Sequence, residues 1–186
     1  MEICQRVAAG DEDARRELME LLFDRIHKTA SYLTGSPEEA EDVAQAACME
    51  VLASAGSFRG NSTLQYWADR VTLFTASKIV STRTRRQGIL DKYFHPAEPM
   101  PGVDEQADYP EIQQRLALHL RKVKYAQREV LLLRYVHGYT INEAAKLCGI
   151  PLETARGRLK KGRATLKKKV MADPLLREWV QEWVLK

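Results

Sequence analysis

The stretch YTINEAAKLCGIPLETARGRLKKGRATLKKK, residues 139–169, decides the fold predicted for this chain. Thr140 and Glu143 have the spacing of a capping box, in which each side chain accepts a hydrogen bond from the other residue's backbone N–H at the start of a helix. Gly149 tolerates the left-handed conformation that ends a helix, and Pro151 cannot continue the helical hydrogen bonds. A second helix is therefore predicted to begin near Leu152. Two short helices joined by a tight turn are the layout of a DNA-reading helix-turn-helix.

The second of these helices combines an apolar side with many cations. Its apolar positions recur at helical spacing and predict the buried side: Ala155, Leu159, Leu166 and Val170. The other positions carry the cations: Arg156, Arg158, Lys160, Lys161, Arg163 and residues 167–169. Such a helix can pack on its domain with one side and present cations to phosphates with the other.

Charge is distributed unevenly along the 186 residues, a length that suffices for one ordinary domain or two small ones. The net charge is −2 for residues 1–86, −5 for residues 87–111 and +11 for residues 112–186. The charge pattern of a nucleic-acid binder is thus concentrated in the last third, and the acidic beginning indicates a different partner.

The sequence contains no signal for export or for a metal site. Cys4, Cys48 and Cys148 are far apart and lack the spacing of zinc ligands, so we expect reduced thiols in a cytosol. The first residues are too highly charged for a signal peptide, and no apolar run is long enough to span a bilayer. We therefore predict a soluble, intracellular protein without membrane insertion.

Three helices are predicted in the first 86 residues. Asp11 is the expected cap of a helix ending at Gly35, with apolar positions Ala14, Leu18, Leu21, Leu22, Ile26, Ala30 and Leu33. Ser36 and Pro37 begin the next helix, whose buried side is Ala40, Val43, Ala44, Ala47, Val51 and Leu52. A polar loop at 56–62 precedes a third helix, for which Trp67, Val71 and Phe74 are the expected core side.

Residues 87–110 contain four prolines and scattered acidic residues, which predict an extended linker. Beyond it, the apolar residues of two further helices lead into the helix-turn-helix: Ile112, Leu116, Leu120 and Val123 on the first, then Val130, Leu131 and Leu133 on a helix ending at Gly138. The predicted fold class is all-α: a helical domain at 1–86, a flexible linker at 87–110 and a helix-turn-helix domain at 111–170.

The last sixteen residues, 171–186, predict an amphipathic helix that starts at Asp173 and Pro174 and carries Trp179 and Trp183 on its apolar stripe. Two interpretations remain open. The helix folds back on the second domain and buries both tryptophans, or it is a binding surface for an inhibitor or a second copy.

In order along the chain, these parts resemble the extracytoplasmic-function (ECF) sigma factors, the two-domain initiation subunits of bacterial RNA polymerase. AEDVAQ at 40–45, FRGNSTLQYW at 58–67 and RTRR at 83–86 are similar to segments of the family's first domain, and residues 128–167 are similar to its region four. The chain departs from the family pattern at Ala46, Phe74 and Lys78 in the first domain, and at Ala155 and Gly157 in the second. The resemblance covers nearly the whole chain.

For the first domain, the resemblance implies two sites. A docking patch for the polymerase clamp helices is expected on one helix face: Glu38, Glu41, Asp42 and Gln45. Contacts to the minus-10 element are expected from Asn61, Ser62, Thr63, Arg70, Lys78, Arg83, Arg85 and Arg86, the first three around a flipped-out base. The alternatives are a solvated acidic helix start and, for Asn61 or Ser62, a helix cap.

For the second domain, the resemblance implies reading of the minus-35 element in the major groove. Glu153, Thr154, Arg156, Gly157 and Arg158 fall at the family's base-contacting positions, with Arg158 and then Arg156 as the expected anchors because arginine reads guanine edges with two hydrogen bonds. Lys160, Lys161 and Arg163 are expected on phosphates. The alternative is a solvated basic helix without base specificity.

The predicted function is therefore that of an ECF-type sigma factor, which binds core RNA polymerase through its clamp helices and flap and directs it to promoter DNA. An anti-sigma protein is a further partner that the resemblance implies. A stand-alone helix-turn-helix regulator is the alternative. We do not expect an enzyme, a cofactor or a metal, because the sequence lacks a nucleophile elbow, a phosphate-binding glycine loop and a metal triad.

Overall fold

The computed structural model describes residues 1–34, 36–87 and 110–184, with side chains described in the same ranges except at 83–87, 110, 113, 114, 179 and 181–184. In these ranges every regular element is a helix, which confirms the all-α prediction. The chain forms two compact units, Met1–Ala97 and Glu98–Lys186. The linker predicted at 87–110 lies outside the described residues, except for its two end positions.

Within the described residues, the first unit has four α-helices and one short turn of 3₁₀ helix. The helices are α1 (Glu2–Ala8), α2 (Glu12–Leu33), α3 (Pro37–Ser54) and α4 (Leu64–Gln87), and the 3₁₀ turn is Ala55–Ser57. The Asp11 carboxylate accepts from the Ala14 N–H at 3.0 Å, and the Ser36 hydroxyl accepts from the Glu39 N–H at 3.2 Å. Both predicted caps are thereby confirmed, whereas α1 was not predicted.

The core of the first unit lies where α2, α3 and α4 pack together, with α1 against α2. Its largest fully buried side chains are Leu18, Leu22, Ile26, Leu33, Val43 and Val51. Two core predictions were wrong: Leu21 is 61% exposed and Phe74 is 72% exposed. Phe74 is displaced because α4 turns its small residues, Ala68, Thr72 and Ala76, toward the core instead.

An ion pair joins α2 to α4 inside this unit. Arg25 donates from Nε to Oδ1 of Asp69 at 2.8 Å and from Nη2 to Oδ2 at 2.6 Å. The Asp69 side chain is only 2% exposed, so its charge needs this two-point partner to be tolerated at that depth. The pair fixes the position of α4 against α2.

The described part of the second unit, residues 110–184, has five helices: α5 (Pro110–Arg121), α6 (Tyr125–Tyr135), α7 (Ile141–Leu147), α8 (Leu152–Ala172) and α9 (Pro174–Val184). The predicted capping box at the start of α7 is present, with Thr140 accepting from the Glu143 N–H at 3.3 Å and donating its own N–H to the Glu143 carboxylate at 2.8 Å. Gly149 has a φ of +63°, which is the left-handed conformation predicted for the turn. The helix-turn-helix of the sequence prediction is thus formed by α7 and α8.

The core of this unit is built on α6, whose residues Val130, Leu131, Leu132 and Leu133 are all buried. Ala144, Leu147 and Ala155 complete it from the helix-turn-helix. The predicted buried side of α8 is only partly correct, since Leu159, Leu166 and Val170 are half-buried. Likewise Leu116 on α5 is 37% exposed.

The C-terminal helix α9 packs on α5 and α8, as the first interpretation of residues 171–186 predicted. Leu176 is 1% exposed, and the Asp173 carboxylate at the junction accepts from His119 Nε2 at 3.0 Å and from Arg115 Nη1 at 3.3 Å. The side chains of Trp179 and Trp183 lie outside the described residues, so the prediction that both are buried remains a prediction.

Candidate functional sites

The first candidate site is an acidic patch on the first turns of α3. Glu38, Glu41, Asp42 and Gln45 are all exposed and follow a spacing that places them along one side of the helix. His27 of α2 lies next to the patch, with Nε2 3.7 Å from Oε2 of Glu41. The four residues therefore present a polar, acidic surface to solvent beside the second half of α2.

A groove of about 720 Å³ between α3 and α4 continues from this patch. Asp42, Ala46 and Glu50 line it from α3, and the exposed Phe74 and Lys78 line it from α4. Lys78, which was predicted to contact the minus-10 element, thus shares a groove with Asp42. The sequence signal for this surface was that Ala46, Phe74 and Lys78, which all line it, depart from the family pattern.

The second candidate site is the loop before α4. Asn61, Ser62 and Thr63 are exposed on it, and Phe58 anchors its start by packing on Trp67 with ring centroids 5.4 Å apart. Thr63, rather than Asn61 or Ser62, caps α4, because its hydroxyl accepts from the Tyr66 N–H at 3.1 Å. The loop is held at both ends while its polar tip faces solvent.

The cations predicted around this loop lie at different distances from it along α4. Arg70 is exposed on α4, one turn beyond Trp67. Lys78 lies two turns further along the helix. The side chains of Arg83, Arg85 and Arg86 lie outside the described residues.

The third candidate site is the first half of α8. Glu153, Thr154 and Arg156 are exposed, and so are the predicted phosphate contacts Lys160, Lys161 and Arg163. Arg156 donates from Nη1 to Oε1 of Glu153 at 2.5 Å, a pair within one helix and open to solvent. Gly157 is half-buried, with nothing within 4 Å of the place where a Cβ would stand.

Arg158 has a different environment from the other cations of α8. Its Nη1 lies 3.9 Å from Oε2 of Glu129 on α6, and its side chain is 30% exposed. Burial raises the pKa of the Glu129 carboxyl, and the charge of Arg158 opposes that shift. The neighbouring Cys148 thiol has its pKa raised to about 12, first by burial and then by the Glu129 charge. Sequence reasoning did not identify Glu129, which belongs to a different segment of the chain.

A second groove, of about 900 Å³, lies between α6 and α8. Its apolar lining comes from both helices: Leu131, Tyr135, Leu159, Leu166 and Val170. The cations at its rim are Arg134, Arg156, Lys160, Arg163 and Lys167. The half-buried apolar side of α8 is therefore the wall of a groove. An apolar surface bordered by cations suits an apolar partner segment that carries acidic residues.

Among the described residues, no group of three or more His, Cys, Asp and Glu side chains is placed to hold a metal ion. None of the described helices has the length and apolar character needed to cross a membrane.

The comparisons with known proteins divide the chain in the same way as its two units. Residues 18–86 match the family described as Sigma-70 region 2, and residues 120–166 match Sigma-70, region 4. The chain is 24% identical to the ECF RNA polymerase sigma factor SigW of Bacillus subtilis, over 89% of this chain and 94% of SigW. It is 27% identical to the RNA polymerase sigma-H factor of Pseudomonas aeruginosa, over 95% of both chains.

Two solved structures share the fold. The sigma factor RpoE of Bartonella quintana, solved with the anti-sigma factor NepR, has a TM-score of 0.68 at 21% identity, covering 85% of this chain and 97% of that one. CnrH, solved with the cytosolic domain of CnrY, has a TM-score of 0.63 at 20% identity, covering 92% of this chain and 96% of that one.

The fold and its sites define a two-unit helical DNA-binding protein of the sigma-70 type, with an acidic first unit and a helix-turn-helix in the second. The chain belongs to the sigma-70 family and is an ECF sigma factor. It binds core RNA polymerase and directs it to promoters. The stand-alone regulator, which was the alternative, is not favoured.

Proposed function

We propose that the two units divide promoter recognition between them, the first docking on polymerase and reading the minus-10 element, the second reading the minus-35 element. The observation that carries this division is the order of the two sigma-70 matches, region 2 on the acidic unit and region 4 on the basic one. The proposed domains 1–86 and 111–170 contain these two matches.

The acidic patch on α3 is the proposed contact for the polymerase clamp helices. Its four polar residues are exposed, and Asp42 continues into the groove that contains Phe74. The groove adds an exposed aromatic ring to the acidic surface, and interfaces are commonly anchored by such rings. We assign Lys78 to this contact as well as to the minus-10 element, because it lines the same groove.

The loop tip of Asn61 and Ser62 is the proposed receptor for an unpaired base of the minus-10 element. Short amide and hydroxyl groups can form hydrogen bonds with the Watson–Crick edge of a base once it leaves the stack. Arg70, Arg83, Arg85 and Arg86 are the proposed contacts to the neighbouring backbone. Thr63 supports the loop as the cap of α4.

The exposed start of α8 is the proposed reader of the minus-35 element, with Glu153, Thr154, Arg156, Gly157 and Arg158 at the bases. Lys160, Lys161 and Arg163 are assigned to phosphates. The groove between α6 and α8 is the proposed seat of the polymerase flap, since an apolar floor with a rim of cations can bind an apolar segment of opposite charge.

An anti-sigma protein is a further proposed partner. The structural neighbour RpoE was solved with the anti-sigma factor NepR, and the neighbour CnrH was solved with the cytosolic domain of CnrY. We also propose that the chain acts in the cytoplasm, where polymerase transcribes, and that it has no catalytic activity of its own.

The docking assignment is tested by Asp42→Arg, which reverses the charge at the centre of the acidic patch. We expect loss of co-purification with core polymerase at an unchanged melting temperature, because Asp42 is exposed and such substitutions cost little stability.

Asp13→Arg is the matched control, since Asp13 is 85% exposed at the opposite end of α2 and undergoes the same charge change. Equal retention of polymerase by both variants would contradict the docking assignment. Specific promoter binding by the chain without polymerase would instead favour the stand-alone regulator.

A further inference from the structure

Glu129 is a carboxylate in an unusual place. It belongs to the most basic part of the chain, residues 112–186 with a net charge of +11, yet it is only 9% exposed on the inward side of α6. A carboxylate is unfavourable at that depth unless a cation or several donors compensate it. Its position therefore has to be explained by the groups that face it.

The groups around Glu129 come from three elements. Tyr125 and Arg128 precede it on α6, Cys148 approaches from the end of α7, and Arg158 approaches from α8. Of these, Arg158 is the one that the sequence assigns to the DNA surface. The Glu129 and Arg158 side chains, with an oxygen and a nitrogen 3.9 Å apart, link the supporting helix to the reading helix.

Arg156 provides the contrast. Its carboxylate partner, Glu153, is on the same helix, and the two side chains are 58% and 79% exposed. Such surface pairs restrict a side chain little. The Arg158 and Glu129 side chains are 30% and 11% exposed, so their two charges attract each other across less solvent than those of Arg156 and Glu153.

Base reading makes such restraint useful. An arginine distinguishes guanine only when the plane of its guanidinium aligns with two acceptors on the base edge, and its long side chain has many other conformations. A carboxylate that is held on the supporting helix and faces the guanidinium favours some of these conformations over others before DNA arrives. In such an arrangement the guanidinium nitrogens that do not face Glu129 would be the ones to meet the base.

We propose that Glu129 is a positioning residue that orients Arg158 for reading one base pair of the minus-35 element. The inference rests on the proposed function of α8. Glu129 itself makes no contact with DNA in this arrangement, and it acts through Arg158 alone.

The test is a double-mutant cycle of Glu129→Gln and Arg158→Ala. Each variant is reconstituted with core polymerase, and its binding is measured on promoters in which each minus-35 base pair is changed in turn. We expect Arg158→Ala to lose about five-fold or more of the discrimination at one base pair, and Glu129→Gln to lose part of the discrimination at that same base pair. The double variant should be no less discriminating than Arg158→Ala alone, because Glu129 has no role once Arg158 is absent.

Two further variants keep the test decisive. Glu129→Met removes the acceptor that glutamine retains, so its loss at that base pair should be at least as large as that of Glu129→Gln. Glu178→Gln removes an exposed carboxylate of the same unit and should leave base preference unchanged. Melting temperatures and circular dichroism show whether each variant is folded, so that a loss of base preference is not confused with a loss of fold.

The result also separates the two proposals. If Arg158→Ala weakens every promoter equally, Arg158 is a phosphate contact, and both its reading role and this inference fail. Other results overturn only the role of Glu129, provided that Arg158→Ala relaxes the preference at one base pair. These are a Glu129→Gln variant that relaxes no base preference, relaxes the preference at a different base pair, or binds all promoters more tightly. A double variant that discriminates less than Arg158→Ala alone is a further such result.

Discussion

Two glycines on α8 stand in opposite surroundings. A Cβ at Gly162 would lie 3.0 Å from Cδ1 of Leu131 and 3.2 Å from Cβ of Gln127, so the glycine is what allows α6 and α8 to approach each other closely. A Cβ at Gly157 would meet nothing within 4 Å. The packing of α6 on α8 thus requires glycine at 162. At 157 nothing nearby requires glycine, and a residue with a side chain would favour the helix more.

The contrast predicts opposite effects on stability. Gly162→Ala should lower the free energy of unfolding by about 1–3 kcal/mol, because overpacking forces α6 and α8 apart. Gly157→Ala should raise it by about 0.5–1 kcal/mol through helix propensity. Urea unfolding monitored by circular dichroism measures both values, and a stabilising Gly162→Ala would show that the two helices can separate without loss.

The sequence predicted the role of single residues correctly where that role depends only on residues close to them in the chain. The caps at Asp11, Ser36 and Thr140 depend on three or four consecutive residues, and all three are confirmed. The exposure of Leu21 and Phe74 was mispredicted, because helical spacing leaves several faces possible and packing against other helices selects one.

The start of helix α9 is held by a small cluster of hydrogen bonds around Asp173. The Asp173 carboxylate accepts from His119, from Arg115 and, at 3.4 Å, from the backbone N–H of Leu176. The His119 hydrogen bond above all, with the Leu176 and Arg115 hydrogen bonds, holds the pKa of the Asp173 carboxyl below its ordinary value. The ionised form of Asp173 is therefore the form that α9 requires.

A pH dependence follows from the direction of this shift. A carboxylate whose pKa is lower in the folded state stabilises that state above its unfolded pKa, and the contribution is lost as the pH falls through the folded value. Asp173→Asn should therefore lower the urea midpoint at pH 6, and the difference from the wild type should shrink below about pH 4.

Asp13→Asn serves as the control for Asp173→Asn, because its carboxylate is 85% exposed and paired only across a helix turn at the surface. It should show little difference from the wild type at pH 6. A difference between Asp173→Asn and the wild type that persists unchanged to pH 3 would contradict the role of the ionised carboxylate.

Most elements could be predicted from the sequence, but the sites between them could not. The starts of α3, α7 and α8 were correct, since caps, Pro37 and Gly149 mark them directly. The groove around Phe74 and the pair of Glu129 and Arg158 each bring together side chains that are far apart in the sequence and lie on different helices. Single-sequence patterns carry no information about which of these side chains meet, and the short α1 was missed because its few residues give a weak helical signal.

Across the whole molecule the charge differs between the two units, with a net charge of −2 for residues 1–86 and +11 for residues 112–186. Binding to duplex DNA by the basic unit should release counterions, so the logarithm of the affinity should fall linearly with the logarithm of salt concentration. Lys160→Ala should reduce the magnitude of that slope by about 1 and weaken all promoter variants alike, because Lys160 is assigned to a phosphate.

The slope is measured with the reconstituted holoenzyme on promoter DNA over a range of salt concentrations. Arg16→Ala is the control, since Arg16 is a 74% exposed cation on α2 of the first unit. A Lys160→Ala variant with an unchanged slope but an altered base preference would move Lys160 to the base-reading group.

The length of α8 has a consequence for the kinetics of binding. The helix is 21 residues long, and at 1.5 Å per residue its late lysines lie about 15 Å beyond Arg158 along the axis. That distance exceeds the screening length of about 8 Å at physiological salt, so these lysines cannot influence the choice of base through their charge. They can instead attract DNA phosphates that come within that length of them and so raise the association rate, whereas Arg158, as the proposed base contact, would set how long the complex lasts. One continuous helix would thereby control arrival at its end and residence at its start.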